Sequence, residues 1–326
     1  MSIGISGAGI LTTMTTILQN NQSQLTTLSE ELSTGNKSQS LSGYGEQGRQ
    51  LLDLNTSIAA ANAYVSSSAT VSTFLNGYDT TLTELVNDAT QLSQGLSSLT
   101  DATSGSAAAS FSSLVSGLQT DVGTTLNTQV GNRYLFSGTR YETPPVQTLS
   151  LLPALTTPAA FTAVASPALP SYDTEAGSGP NAAAWATPKV TIEAGETISY
   201  GINSNNPAIQ QLVFALQNAA AATNTSDPNR SQYLSLAQNA AQQALQGLQG
   251  LQASNGANLS QVTSVQSAQK TSVTTLTDLL QGIQGADPTQ VSAQISALQT
   301  QMQASYKVTG SLLNLSLLNY LGTTTS

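Results

Sequence analysis

The chain has no cysteine and no histidine in its 326 residues. Disulfides, zinc–thiolate sites and imidazole-based acid–base or metal chemistry are excluded by composition. Charge is scarce: 8% of residues are charged, and the net charge is −9 with only eight Lys and Arg. A nucleic-acid binder needs a clustered basic face, and eight scattered cations do not make one. Aromatics are equally few, at 5%, which leaves no wall of rings for a carbohydrate-cleaving cleft. No apolar run reaches the roughly 20 residues of a membrane span. Residues 1–29 carry no basic n-region of a cleavable secretory signal, so export would need a route that reads an uncleaved N-terminus.

What remains is Ser, Thr, Gln, Asn, Ala and Leu, arranged with strong helical periodicity. Leu11, Leu18, Leu25 and Leu32 fall seven apart, with Met14 and Leu28 between them, and no charge precedes Glu30. The spacing predicts a helix from about Ser6 to Ser33, stopped by Gly35. At the other end, Asp287-Pro288 supplies a cap and a first-turn proline. Val291, Ile295, Leu298, Met302, Leu312, Leu315 and Leu318 then continue at three-four spacing, with no charge after Lys307. Two helices so poor in charge have an apolar seam and little to keep them soluble alone. They are expected to pair with each other and then with copies of themselves.

Between them, apolar positions from Leu54 to Leu99 keep a period near 3.5 and predict one long helix, ended by Ser104-Gly105-Ser106. A third helix is expected over about 107–131. Tyr134, Leu135 and Phe136, between Gly131 and Gly138, read as a short strand with tight turns. Residues 143–202 hold eight of the eleven prolines and the only tryptophan, Trp185. Proline at that density forbids long helices. Val190, Ile192, Ile198 and Tyr200 alternate around Ala194-Gly195 and predict a β-hairpin. Helix resumes at Pro207 to about Ala222 and again from Ser231 to about Ile283. The division expected is a terminal-helix polymerisation domain (1–40 with 287–326), a helical rod domain (41–142 with 203–286) and a β-rich outer domain (143–202).

Candidate chemistry is thin. Glu30-Glu31, Asp173 with Glu175, and Glu193 with Glu196 pair carboxylates without a base, nucleophile or metal partner. Gly43, Gly45 and Gly48 mimic a phosphate loop but follow no hydrophobic strand, so they read as linker. No catalytic, cofactor-binding or metal-binding residue is assigned, and no cofactor is expected. Arg133 and Arg140 flank the aromatic segment and are read as ion-pair partners of a rod carboxylate, or as contacts between subunits.

Three stretches carry a family resemblance: Leu32-Ser33-Thr34-Gly35, then Asn132-Arg133-Tyr134-Leu135-Phe136-Ser137-Gly138-Thr139 followed by Pro144-Pro145-Val146, and Leu315-Ser316-Leu317-Leu318-Asn319-Tyr320-Leu321. On these the chain resembles the bacterial flagellin superfamily, nearest to its hook–filament junction family. The resemblance covers roughly 1–145 and 205–326. Ser40–Gly48 (SLSGYGEQG) departs from the family pattern, which keeps filament flagellin open as the alternative. The resemblance implies a mostly α fold: an elongated flagellin-like rod with paired N- and C-terminal coiled-coil helices and a small β-rich central insertion. It implies a structural, non-enzymatic subunit, exported through the flagellar type III channel and built into the flagellum outside the cell. The implied partners are copies of itself, neighbouring axial proteins (hook-associated proteins, flagellin) and an export chaperone, with neither nucleic acid nor membrane. The residues expected to carry self-assembly are Leu11, Leu18, Leu25, Leu28, Leu32, Ile295, Leu298, Met302, Leu312, Leu315 and Leu318. The family motif falls on Arg133, Tyr134, Leu135, Phe136 and Gly138.

Overall fold

The computed structural model describes residues 7–100, 105–146, 149, 155, 157–161 and 187–322. The expected path of residues 150–187, with Trp185, lies almost wholly outside them. The described chain is mostly helical: α1 (Gly7–Thr34), α2 (Gln47–Thr100), α3 (Gly105–Leu126), α4 (Pro207–Ala221), α5 (Arg230–Gln284) and α6 (Pro288–Gly322). Two antiparallel two-stranded sheets complete it, β1 (Gln129–Val130) with β2 (Arg133–Tyr134), and β3 (Lys189–Glu193) with β4 (Glu196–Ser199). α2 alone has 54 residues, about 80 Å at 1.5 Å per residue. No described helix is long and apolar enough to cross a membrane.

Many Ser and Thr hydroxyls in these helices turn back on the helix backbone. Thr56 donates to the Leu52 carbonyl at 2.9 Å, Thr83 to Asp79 at 2.8 Å, and Thr263 to Leu259 at 2.8 Å. Each bond spends the side chain locally, so it neither competes for a cap nor needs a tertiary partner. Termini follow the expected chemistry. Gly35 ends α1 at φ +72°, its N–H donating to the Glu31 carbonyl. Asp287 Oδ1 accepts from the Thr289 N–H at 2.9 Å to start α6, and Asn206 Oδ1 accepts from Ala208 N–H at 3.0 Å to start α4.

The chain folds into two compact units, Met1–Ala60 with Ser272–Ser326, and Ala61–Thr271. The second holds the main core. Leu82, Leu85, Ala89, Leu92 and Leu96 of α2 close against Phe111, Val115, Leu118 and Val122 of α3, Ile209, Leu212 and Leu216 of α4, and Tyr233, Ala237, Ala241 and Leu248 of α5. A smaller cluster seats the β3–β4 hairpin: Ile192, Ile198 and Tyr200 pack with Val71, Leu75 and Val262. The hairpin turns at Gly195, φ +82°, where a residue with a Cβ would be strained.

Two local expectations are corrected. The aromatic segment is a strand only through Tyr134; Leu135–Ser137 form a 3-10 turn closed by Gly138 at φ +64°. Leu135 and Phe136 are both buried. Neighbouring strand residues face opposite sides, so a turn is what lets both enter one core. The third helix stops at Leu126, short of residue 131. Asn127 there donates from Nδ2 to the Val146 carbonyl at 2.9 Å and accepts from the Val146 N–H at 3.2 Å. That reciprocal pair ties residue 127 to a distant loop and turns the chain into β1.

Candidate assembly surface

α1 and α6 run antiparallel. At one end the Ala286 N–H donates to the Gly35 carbonyl and the Lys37 N–H to the Gln284 carbonyl, each at 2.8 Å, and Lys37 Nζ reaches the Ile283 carbonyl at 3.1 Å. Toward the other end Thr309 Oγ1 donates to Met14 Sδ at 3.4 Å. Between them lies a groove of about 480 Å³ lined by Leu28, Leu298, Ala297 and a rim of Ser23, Gln24, Thr27, Gln294 and Gln301.

The seam is only partly closed. Val291 and Leu298 are buried, while Leu18, Leu25, Leu28, Ile295 and Met302 are half-buried. Asn21 is buried among them, and its Nδ2 has no acceptor among the described residues; one polar group in an apolar seam favours a single register. Leu32 stands 43% exposed. A straight helix drifts about 20° per seven-residue step, so leucines that start on one face have rotated off it three steps later. The side chains of Leu11, Leu312, Leu315 and Leu318 lie outside the described ones. Two single helices cannot bury more than one stripe each, and Ile17, Tyr306 and Val308 also remain 41%, 50% and 47% exposed.

The motif residues gather elsewhere, within the second unit. Arg133 lies in a sandwich: its guanidinium carbon is 3.5 Å from the Tyr141 ring centroid and 4.6 Å from that of Phe74. Its Nε is buried without a hydrogen-bond partner among the described residues. The expected carboxylate pairing is thus replaced by cation–π stacking, which suits a planar cation where acids are few. Phe136 meets Tyr78 edge-on, centroids 5.5 Å apart, and the Tyr78 hydroxyl donates to the Leu135 carbonyl. Burial pushes the Tyr78 phenol well above its ordinary value. Backbone bonds finish the nest, Ser204 N–H to the Phe136 carbonyl and Tyr134 N–H to the Tyr141 carbonyl, each at 2.9 Å. The motif therefore locks a loop onto α2. Replacing Arg133 with Lys keeps the charge but loses the flat face, and is expected to cost about 1 kcal/mol in urea unfolding. An unchanged midpoint would show that the stacking contributes nothing.

Sequence reasoning missed Phe74, Tyr78 and Tyr141. The available signal was the four-residue spacing of Phe74 and Tyr78, one helix face in a chain with so few rings.

Fold and surface together define a mostly helical protein in which α1 pairs with α6 in one unit and a second unit holds a helical core of its own. No protein-family model matches the chain, and no curated protein matches it. Among solved structures, the fold is similar to that of a protein from Vibrio parahaemolyticus provisionally assigned as a flagellar hook-associated protein. The TM-score is 0.57 at 15% identity, covering 74% of this chain and 99% of the other. At that identity the likeness is one of fold.

Proposed function

We propose that the protein is a structural subunit of the bacterial flagellar axis, joining hook to filament by self-assembly through α1 and α6. The observation that carries this reading is the half-closed seam: apolar side chains along a charge-poor helix pair, left without cover in the single chain. Contiguous exposed apolar surface marks a contact surface, and packing against copies of the same pair would bury it. The likeness of fold to a protein assigned as hook-associated supports the flagellar setting, and the residues Arg133–Thr139 and Leu315–Leu321 support the junction role within it. The further proposals are type III export, a chaperone that covers the C-terminal helix before assembly, and contacts with hook-associated proteins and flagellin. The self-assembly residues are those of the two apolar stripes, and the role is structural rather than enzymatic.

A second reading, filament flagellin, is favoured by the departure at Ser40–Gly48. Immunogold labelling of flagella separates the two. A thin band where hook meets filament is expected; label along the whole filament would establish the second reading, and flagella without label would overturn both.

A further inference from the structure

The junction of α2 and α3 contains a feature that assembly does not use. Three carboxylates converge there. Glu84 and Asp88 lie four apart on one face of α2, and Asp121 and Thr125 lie four apart on one face of α3. Thr125 Oγ1 donates to Glu84 Oε2 at 3.3 Å. Further along the same antiparallel pair, Gly95 lies directly under the Leu114 side chain, leaving no room for a Cβ. These two contacts fix the register and set Asp88 opposite Asp121. Glu84 and Asp121 are exposed, while Asp88 is only 8% exposed. It sits between the core residues Leu85, Ala89 and Leu92.

Among the described residues nothing positive answers this cluster. α2 has no Lys or Arg after Arg49, α3 and α4 have none, and α5 has none between Arg230 and Lys270. α4 carries no titratable side chain, and that stretch of α5 carries only Tyr233. The charges that bear on Asp88 are Asp121 and Glu84, both negative. Among the described residues no group of three acids is arranged to hold a metal ion. The remaining way to neutralise Asp88 is a proton.

We propose that Asp88 is a protonation switch, which clamps α3 onto α2 in mild acid and loosens that junction near neutrality. Of the three acids Asp88 alone is buried, and facing the other two it is the one that takes up the proton. Burial first, then Asp121, then Glu84, raise its carboxyl from the ordinary 3.8 to about 6. The sign follows from linkage. Between those two values the folded chain holds a proton that the unfolded chain has released, so stability falls as pH rises through the interval and is lowest above it.

The test is urea unfolding of the full-length protein at pH 5 and pH 7.5, together with hydrogen exchange of the α3 amides. The folded-to-unfolded ratio should fall roughly tenfold over that range from this group alone, with faster α3 exchange at the higher pH. Asp88→Asn should remove that fall. Asp121→Asn, a change at an exposed position that leaves the core untouched, should shrink it by lowering the Asp88 midpoint. An Asp88→Asn protein that keeps the same pH dependence would overturn the proposal. So would stabilisation of the wild-type protein at pH 7.5 by millimolar Mg²⁺ or Ca²⁺ that Asp88→Asn abolishes, since the cluster would then be a cation site.

Discussion

A chain cut after Asp287 is expected to be absent from flagella, with incorporation reduced at least hundredfold in immunoblots of sheared flagellar fractions. The cut removes α6, and with it the Leu298 and Val291 side chains, buried in the folded chain. Burying a large aliphatic side chain contributes about 1.5–3 kcal/mol, so losing two of them removes at least about 3 kcal/mol, more than a hundredfold, from the paired helices that present the assembly surface. α1 would then stand alone, 28 residues with no charge before Glu30, and an isolated helix without a packed face is marginal in water. Among the described residues, no α6 side chain belongs to the core of the Ala61–Thr271 unit. Its unfolding midpoint should therefore stay within about 0.5 kcal/mol of the full-length value. A milder variant, Leu298→Asp, keeps the helix and places a charge in the seam; it should give the same loss. Normal incorporation of either chain would remove the basis for reading α1 and α6 as the assembly elements.

Phe136→Ala is expected to produce the largest loss of stability from a single substitution in the motif. Phe136 is fully buried, is among the largest side chains in the core, and packs edge-on against Tyr78. Truncating a buried Phe costs about 3–5 kcal/mol, the transfer term plus the cavity left behind. For a unit of this size that lowers the melting temperature on the order of 10 °C, measurable by calorimetry. The damage should spread, because the 3-10 turn from Leu135 to Ser137 exists to seat Leu135 and Phe136 together. Its carbonyls anchor Tyr78 and Ser204. Loosening the turn would free Arg133 from its sandwich, so Phe136→Ala and Arg133→Lys should combine non-additively. A loss below 1 kcal/mol would mean that the motif is not part of the core's stability and is retained for a surface contact instead.

The features legible in the sequence are those whose cause is local. Gly35 stops α1 because a left-handed residue follows the last helical turn. Asp287-Pro288 starts α6 because a carboxylate can meet free N–H groups and a proline needs none. Ala194-Gly195 turns the β3–β4 hairpin because glycine accepts a positive φ. Each is written within a few residues of where it acts. The aromatic segment was only half legible: its glycines mark the turns, but whether Leu135 and Phe136 lie in a strand or a 3-10 turn depends on the core that receives them. Arg133 was legible as a residue needing a partner, yet its partner is a pair of rings from α2 and from beyond the turn, not an acid.

By itself the sequence determined the helical makeup, the charge-free stretches before Glu30 and after Lys307, and the absence of disulfide, zinc–thiolate and imidazole chemistry, because composition and periodicity need no neighbours to act. Only the tertiary structure decided that α1 and α6 close one stripe and leave others open, that Arg133 stacks, and that Asp88 faces Asp121. Those outcomes depend on which residues, far apart in the chain, meet across a helix interface, and the register of that meeting is set by packing rather than by any local signal.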